Sequence, residues 1–284
     1  MPMIELADGA KIAYDVTGDG PPLVFLHCWT GDRTFYFKQV MHFSDRYRCI
    51  TLDFPGHGDS PAQGEYSVER FGEITIELLE ELGVDEAVFA GHSLGGMVAL
   101  HLALDYPEMV KGLVLLDTTS HLSGFFFQRW FAVTAVLLGA VGYGLRNNGW
   151  TRTKGFVAAV AACHPLAGPG PRFISARECS RVQNYAMVKT LNSVRNFNAT
   201  DRLPEIDVPA LIVVGDADLL ADIRHARLMH KGIKDSILKL VRGAGHMALF
   251  ERPEVVNEAM DEFLSGVYPP AKKRRAASKK KVPA

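Results

Sequence analysis

The sequence predicts an α/β protein: a mostly parallel central sheet of about eight strands, helices on both faces, and an inserted helical cap. Three observations carry this. Short apolar runs recur along the chain at Leu23–Leu26, Arg48–Leu52, Ala87–Ala90, Val110–Leu116 and Ala210–Val214. Helical stretches separate them, notably Val68–Leu82, Leu94–Tyr106, Ile223–His230 and Pro253–Leu264. The alternation then breaks between residues 120 and 200 and resumes after Val208-Pro209. Continuous apolar strands are those buried on both faces, and strand–helix alternation builds a parallel sheet by crossover connections.

Taken in order, Met3–Leu6 and Ile12–Val16 flank Asp8-Gly9 and read as an opening hairpin. Ser236–Leu240 is a weaker strand near the end of the pattern. The predicted core is therefore residues 1–119 and 201–268, with a helical cap at 120–200 and a basic tail at 269–284. Within the cap, Trp130–Leu145 is strongly apolar, but sixteen residues fall short of the roughly 20 that span a bilayer. It reads as a buried cap helix rather than a lipid-touching helix or a span. Membrane contact through the cap or the tail is not expected.

Charge is uneven. The chain carries a net −1, yet seven of its 31 basic residues lie in KKRRAASKKKVPA at 272–284, leaving a net −8 on residues 1–271. Such a body offers no general footprint for nucleic acid. The tail lacks apolar periodicity and reads as disordered. Four widely spaced cysteines, Cys28, Cys49, Cys163 and Cys179, suggest free thiols rather than a disulfide framework. The N-terminus lacks the pattern of a secretory signal, so a cytoplasmic location is expected. No metal-binding spacing, dinucleotide fingerprint or P-loop occurs, and no cofactor is implied.

The chemistry is concentrated in Gly91-His92-Ser93-Leu94-Gly95, a G-x-S-x-G motif. It directly follows one predicted strand and opens a predicted helix, the setting of a nucleophile elbow. A serine hydroxyl needs a base and the base needs an orienting acid. His246, in Gly243-Ala244-Gly245-His246, follows the last strand and is the candidate base; His92, His27, His57 and His101 are read as structural. His92 sits within the elbow and is expected to point away from the serine. Asp218, in Gly215-Asp216-Ala217-Asp218, is the preferred acid, with Asp117 and Asp216 as rivals. Ser93, Asp218 and His246 follow three different strands in the order Ser…Asp…His. The backbone N–H of Leu94, at a helix N-terminus, is one candidate oxyanion donor; the loop His27–Gly31 should supply the second.

These residues together resemble the α/β-hydrolase superfamily. The resemblance rests on HCWTG at 27–31, DFPGHGDS at 53–60, GHSLGG at 91–96, GDAD at 215–218 and GAGH at 243–246. It covers roughly residues 4–118 and 203–264, and the cap matches no pattern. It implies that the Trp29 N–H completes the oxyanion hole. Cys28 departs from the usual His-Gly pair and, as a residue that resists positive φ, would make that donor less secure. Serine at position 93 disfavours haloalkane dehalogenase and epoxide hydrolase relatives, which carry aspartate there. The expected activity is hydrolysis of a small-molecule carboxylic ester through a Ser-His-Asp triad and an acyl-enzyme. The cap aromatics Phe125, Phe126, Phe127, Trp130 and Phe131 favour an apolar acyl or lipid-like substrate. C–C, amide or perhydrolase chemistry with the same triad, or a low-turnover ligand sensor, are the competing readings.

Overall fold

The computed structural model describes residues 2–122, 163 and 165–269. The Trp130–Leu145 run, the phenylalanines at 125–127, Phe131 and the basic tail lie outside the described residues. Eight strands form one sheet: β1 (Met3–Glu5), β2 (Lys11–Thr17), β3 (Pro22–Leu26), β4 (Arg48–Leu52), β5 (Ala87–His92), β6 (Val110–Leu116), β7 (Ala210–Gly215) and β8 (Ser236–Val241). Their spatial order is β1-β2-β4-β3-β5-β6-β7-β8. β2 pairs antiparallel with both β1 and β4, and every other pairing is parallel. The opening hairpin turns at Gly9, whose φ of +84° suits a residue without Cβ.

The continuous apolar runs are explained by their two-sided burial. Along β3, Leu23 and Phe25 enter one core while Val24 and Leu26 enter the other. β5 divides in the same way, with Val88 and Ala90 on one face and Ala87 and Phe89 opposite. Helices α1 (Phe37–Phe43) and α8 (Pro253–Val267) cover the first face through Phe43, Val256, Met260 and Leu264. Helices α2 (Val68–Glu81), α3 (Leu94–Asp105) and α6 (Ile223–Gly232) cover the second. The Ser67 hydroxyl caps α2 by accepting from the Arg70 N–H at 3.1 Å, and the Asp222 carboxylate caps α6. Where α2 and α3 cross, a Cβ at position 72 would come within 2.6 Å of the His101 ring, so glycine permits the close approach.

Between β6 and β7 the chain forms α4 (Pro169–Arg181) and α5 (Asn184–Asn196). It leaves and rejoins the core at adjacent points, marked by an isolated bridge between His121 and Asn198. A short helix, α7 (Ala248–Glu251), follows β8. Neither α1 nor α7 has an apolar periodicity long enough to be read from sequence. Because β3, β5, β6, β7 and β8 are parallel, the segments that follow them all emerge at one edge of the sheet. The chain turns one way from β3 into β4 and the other way from β5 into β6. The divergence falls between β3 and β5, and in such folds ligands bind at the carboxyl edge of the sheet beside it.

Candidate active site

Ser93 ends β5 and begins α3 in a conformation of φ 53° and ψ −114°, one of two non-glycine residues with positive φ among those described. Backbone of this kind is costly and persists because its surroundings hold it. The Ser93 N–H donates to the Leu116 carbonyl at 3.0 Å. Its carbonyl accepts from the Thr118 hydroxyl at 2.6 Å and from the Gly96 N–H at 3.0 Å. A Cβ at Gly91 would collide with the Gly95 carbonyl, and one at Gly95 with the Leu26 carbonyl. The motif's glycines thus allow the tight turn, which leaves Ser93 partly exposed amid buried neighbours. Leu94 is the first residue of α3, where a backbone N–H has no partner within the helix.

His246 and Asp218 are both buried and meet directly. His246 Nδ1 lies 2.9 Å from Asp218 Oδ2. The other oxygen, Oδ1, accepts from the Leu220 N–H at 2.7 Å and the Ala221 N–H at 2.9 Å. Burial alone would raise the Asp218 carboxyl, but His246 and these donors outweigh it and hold the group below the usual carboxylate range. Burial likewise disfavours the charged imidazole of His246, and the Asp218 charge and hydrogen bond outweigh it, raising the histidine above its ordinary value. The ionised carboxylate fixes the proton on Nδ1. Nε2 of the neutral ring is then left with its lone pair.

The other candidates for the acid are spent elsewhere. Asp117 Oδ1 accepts from the Gly215 N–H at 2.9 Å, and Oδ2 from the Ala248 N–H at 3.1 Å. It ties the end of β7 to the start of α7. Asp216 Oδ1 accepts from the Gly243 N–H at 2.8 Å.

His92, read as a structural residue of the elbow, makes a long-range contact. It is fully buried, and its Nε2–H donates to the His246 carbonyl at 2.6 Å. The two rings pack at a centroid distance of 4.9 Å, and Asp117 Oδ2 lies 3.7 Å from His92 Nε2. The residue beside Ser93 therefore holds the backbone of His246. Its position inside G-H-S-x-G gave no sign of this, because the contact spans 154 residues of sequence.

His27 and His57 shape the loop after β3. The Phe54 N–H donates to His27 Nε2 at 3.0 Å, so Nδ1 carries the proton and donates to the Cys28 carbonyl at 2.8 Å. His57 Nε2 lies 3.0 Å from the Trp29 carbonyl. Burial pushes both imidazoles down to about 4 and keeps them neutral. The Gly31 N–H closes the turn on the Cys28 carbonyl at 3.0 Å, and the Trp29 indole N–H donates to the Met187 carbonyl on α5 at 2.8 Å. Cys28 does not adopt positive φ, so the strain expected from replacing glycine does not arise. Its buried thiol packs beneath the loop, 3.1 Å from where a Cβ at Gly31 would stand. His101 is satisfied by Asp105, 2.9 Å away on the same helix.

Among the described residues no group of three or more His, Cys, Asp or Glu side chains could hold a metal ion. None of the described helices is long and apolar enough to cross a membrane.

Comparisons with known proteins agree with this architecture. The chain is 27% identical over 243 residues to a pimeloyl-[acyl-carrier protein] methyl ester esterase of Vibrio vulnificus, covering 85% of this chain and 93% of that protein. It is 23% identical over 249 residues to 3-oxoadipate enol-lactonase 2 of Acinetobacter baylyi, covering 87% and 89% respectively. A thermophilic esterase from Thermogutta terrifontis superimposes with a TM-score of 0.82 at 22% identity, over 94% of this chain and 99% of that one, and shares the fold. The model of the alpha/beta hydrolase fold family matches residues 21–253. The chain belongs to that family and is a hydrolase.

Proposed function

We propose that the protein hydrolyses carboxylic esters by two acyl transfers on Ser93, with His246 as base and Asp218 as its orienting acid. The observation that carries the reading is the buried 2.9 Å contact between His246 Nδ1 and Asp218 Oδ2, beside a serine in strained backbone. His246 Nε2 takes the Ser93 proton as Oγ attacks the carbonyl carbon. The imidazolium then protonates the leaving alcohol, and the neutral ring activates water against the acyl-enzyme. Asp218 stabilises the imidazolium and keeps the tautomer. The backbone N–H groups of Leu94 and Trp29 receive the oxyanion. Esterase and lactonase relatives favour an ester or lactone carbonyl.

The helices between β6 and β7 form part of a cap over this edge, and the aromatic run at 125–131 supports an apolar acyl group. Buried free thiols at Cys28, Cys49 and Cys163 fit a reducing, cytoplasmic setting.

Hydrolysis of p-nitrophenyl esters of graded chain length tests the reading. Activity should rise with pH through a value above 6.5, because the base works only when neutral and its titration is shifted upward. Ser93→Ala should remove nearly all activity with the fold intact. An active Ser93→Ala protein, or a panel in which only peracid formation or amide cleavage turns over, would end the ester assignment.

A further inference from the structure

The loop after β3 is charged in an unusual way. Asp32 is fully buried and caps the turn Arg33–Tyr36, with Oδ1 accepting from the Thr34 N–H at 2.8 Å and the Thr34 hydroxyl at 2.6 Å. Among the described residues, one cation lies within ion-pair distance of its second oxygen, Oδ2. Arg181 Nη1, from the last residue of α4, lies 2.9 Å away as a charge contact rather than an aligned hydrogen bond. The neighbouring Arg33 is engaged by three other carboxylates: Nε reaches Asp15 at 2.8 Å, and Nη1 reaches Asp53 at 2.5 Å and Asp59 at 2.6 Å. Four carboxylates thus share two guanidiniums. Arg181 also approaches Asp59, at 3.5 Å. The same insertion grips the loop once more, through the Trp29 indole N–H on the Met187 carbonyl, and it holds the loop after β4 through the Gln183 N–H on the Gly56 carbonyl at 3.0 Å.

We propose that Arg181 is a positioning residue for the oxyanion loop: by neutralising buried Asp32 it holds the turn that presents the Trp29 N–H to the reacting carbonyl. The proposal rests on the reading of Trp29 as an oxyanion donor. A carboxylate out of water without a counter-charge is expensive, so a bare Asp32 must move toward solvent or take up a proton. Movement draws on the Thr34 cap and on the Cys28–Gly31 turn, which lies immediately before it. His27 offers no substitute cation, since burial keeps it neutral. The donor at Leu94 sits on α3 and is untouched. Loss of Arg181 therefore weakens one of two oxyanion donors while the serine and the His246–Asp218 pair stay in place.

The test is steady-state hydrolysis of p-nitrophenyl acetate, a substrate too small to depend on the rest of the insertion. Arg181→Ala should lower kcat about 10- to 100-fold, the scale of a misplaced catalytic group, with KM changed by no more than about twofold. The double variant Arg181→Ala/Asp32→Asn removes the buried charge while Asn preserves the cap, and should return kcat to within about threefold of the parent. Near-UV circular dichroism checks that each variant is folded; if Arg181→Ala does not fold, Arg181→Gln removes the same charge at similar size and should show the same loss and the same rescue. An unchanged kcat in the folded single variant, or a double variant no better than the single one, would overturn the proposal. Ser93→Ala separates the two readings. If it is inactive while Arg181→Ala is fully active, only the role of Arg181 fails, and if it is active both fail.

Discussion

Asp218→Asn is the most searching perturbation, because the surrounding hydrogen bonds decide how the new amide must sit. Oδ1 of Asp218 accepts two backbone N–H groups, from Leu220 at 2.7 Å and Ala221 at 2.9 Å. An asparagine can satisfy both only by leaving its carbonyl oxygen there. Its NH2 then replaces Oδ2 opposite His246 Nδ1, which was 2.9 Å away. Donor would face donor, so the ring keeps its proton on Nε2 and presents Nδ1 as the acceptor. The lone pair that should take the Ser93 proton is gone. A wrong tautomer in such a triad costs about 10⁴-fold in kcat, equivalent to about 5.4 kcal/mol of barrier. KM for a short ester should change little, since the carboxylate does not meet the substrate.

Stability gives a second, independent readout of the same substitution. Asp218 is depressed in the folded protein, so its contribution is present above its unfolded value near 3.8 and is lost as pH falls through the folded value. His246 is raised, so its contribution is complete below 6.5 and is lost as pH rises through the folded value. The melting temperature gap between parent and Asp218→Asn should therefore be widest between about pH 4 and 6.5 and narrow above it. A variant retaining more than about a tenth of kcat, against the tautomer argument, would refute the reasoning. So would a gap that grows on raising the pH from 7 to 9.

Two further substitutions probe the neighbouring residues. Ser93→Gly should abolish ester hydrolysis yet raise the melting temperature by about 2–4 °C, because glycine relieves roughly 1 kcal/mol of positive-φ strain; differential scanning fluorimetry reads this, and a lower melting temperature would argue against strain at the elbow. Asp117→Asn should behave as a structural change, with an NH2 set against the N–H of Gly215 or Ala248. It should cost about 1–3 kcal/mol in urea unfolding while keeping far more activity than Asp218→Asn; the reverse ranking of the two activities would make Asp117 the acid.

Much of this protein is legible in one dimension because its strands are buried on both sides. Val110–Leu116 is a strand in sequence and in structure because, from Leu113 to Leu116, alternate residues enter two cores and no polar residue interrupts the run. Ser236–Leu240 reads more weakly because β8 lies at the sheet edge, with Ile237 and Leu240 exposed. The glycines around Ser93 could be identified from the motif, since a turn that tight excludes side chains locally. Helices α1 and α7 could not, being too short to show a period of 3.6 residues.

Local sequence also placed Ser93, Asp117, Asp216, Asp218 and His246 at the carboxyl ends of strands. It preferred Asp218 but could not show which of the three aspartates meets the base, because each follows a strand and each is a plausible cap. Folding ranks them through long-range hydrogen bonds: Asp117 and Asp216 meet backbone amides, and Asp218 alone of the three makes a hydrogen bond to the imidazole. The same holds for His92 on the His246 carbonyl and for Arg181 against Asp32, contacts made across 154 and 149 residues. Backbone turns and apolar periodicity are written into neighbouring residues, whereas the direction of a buried charge depends on which partner the fold delivers to it.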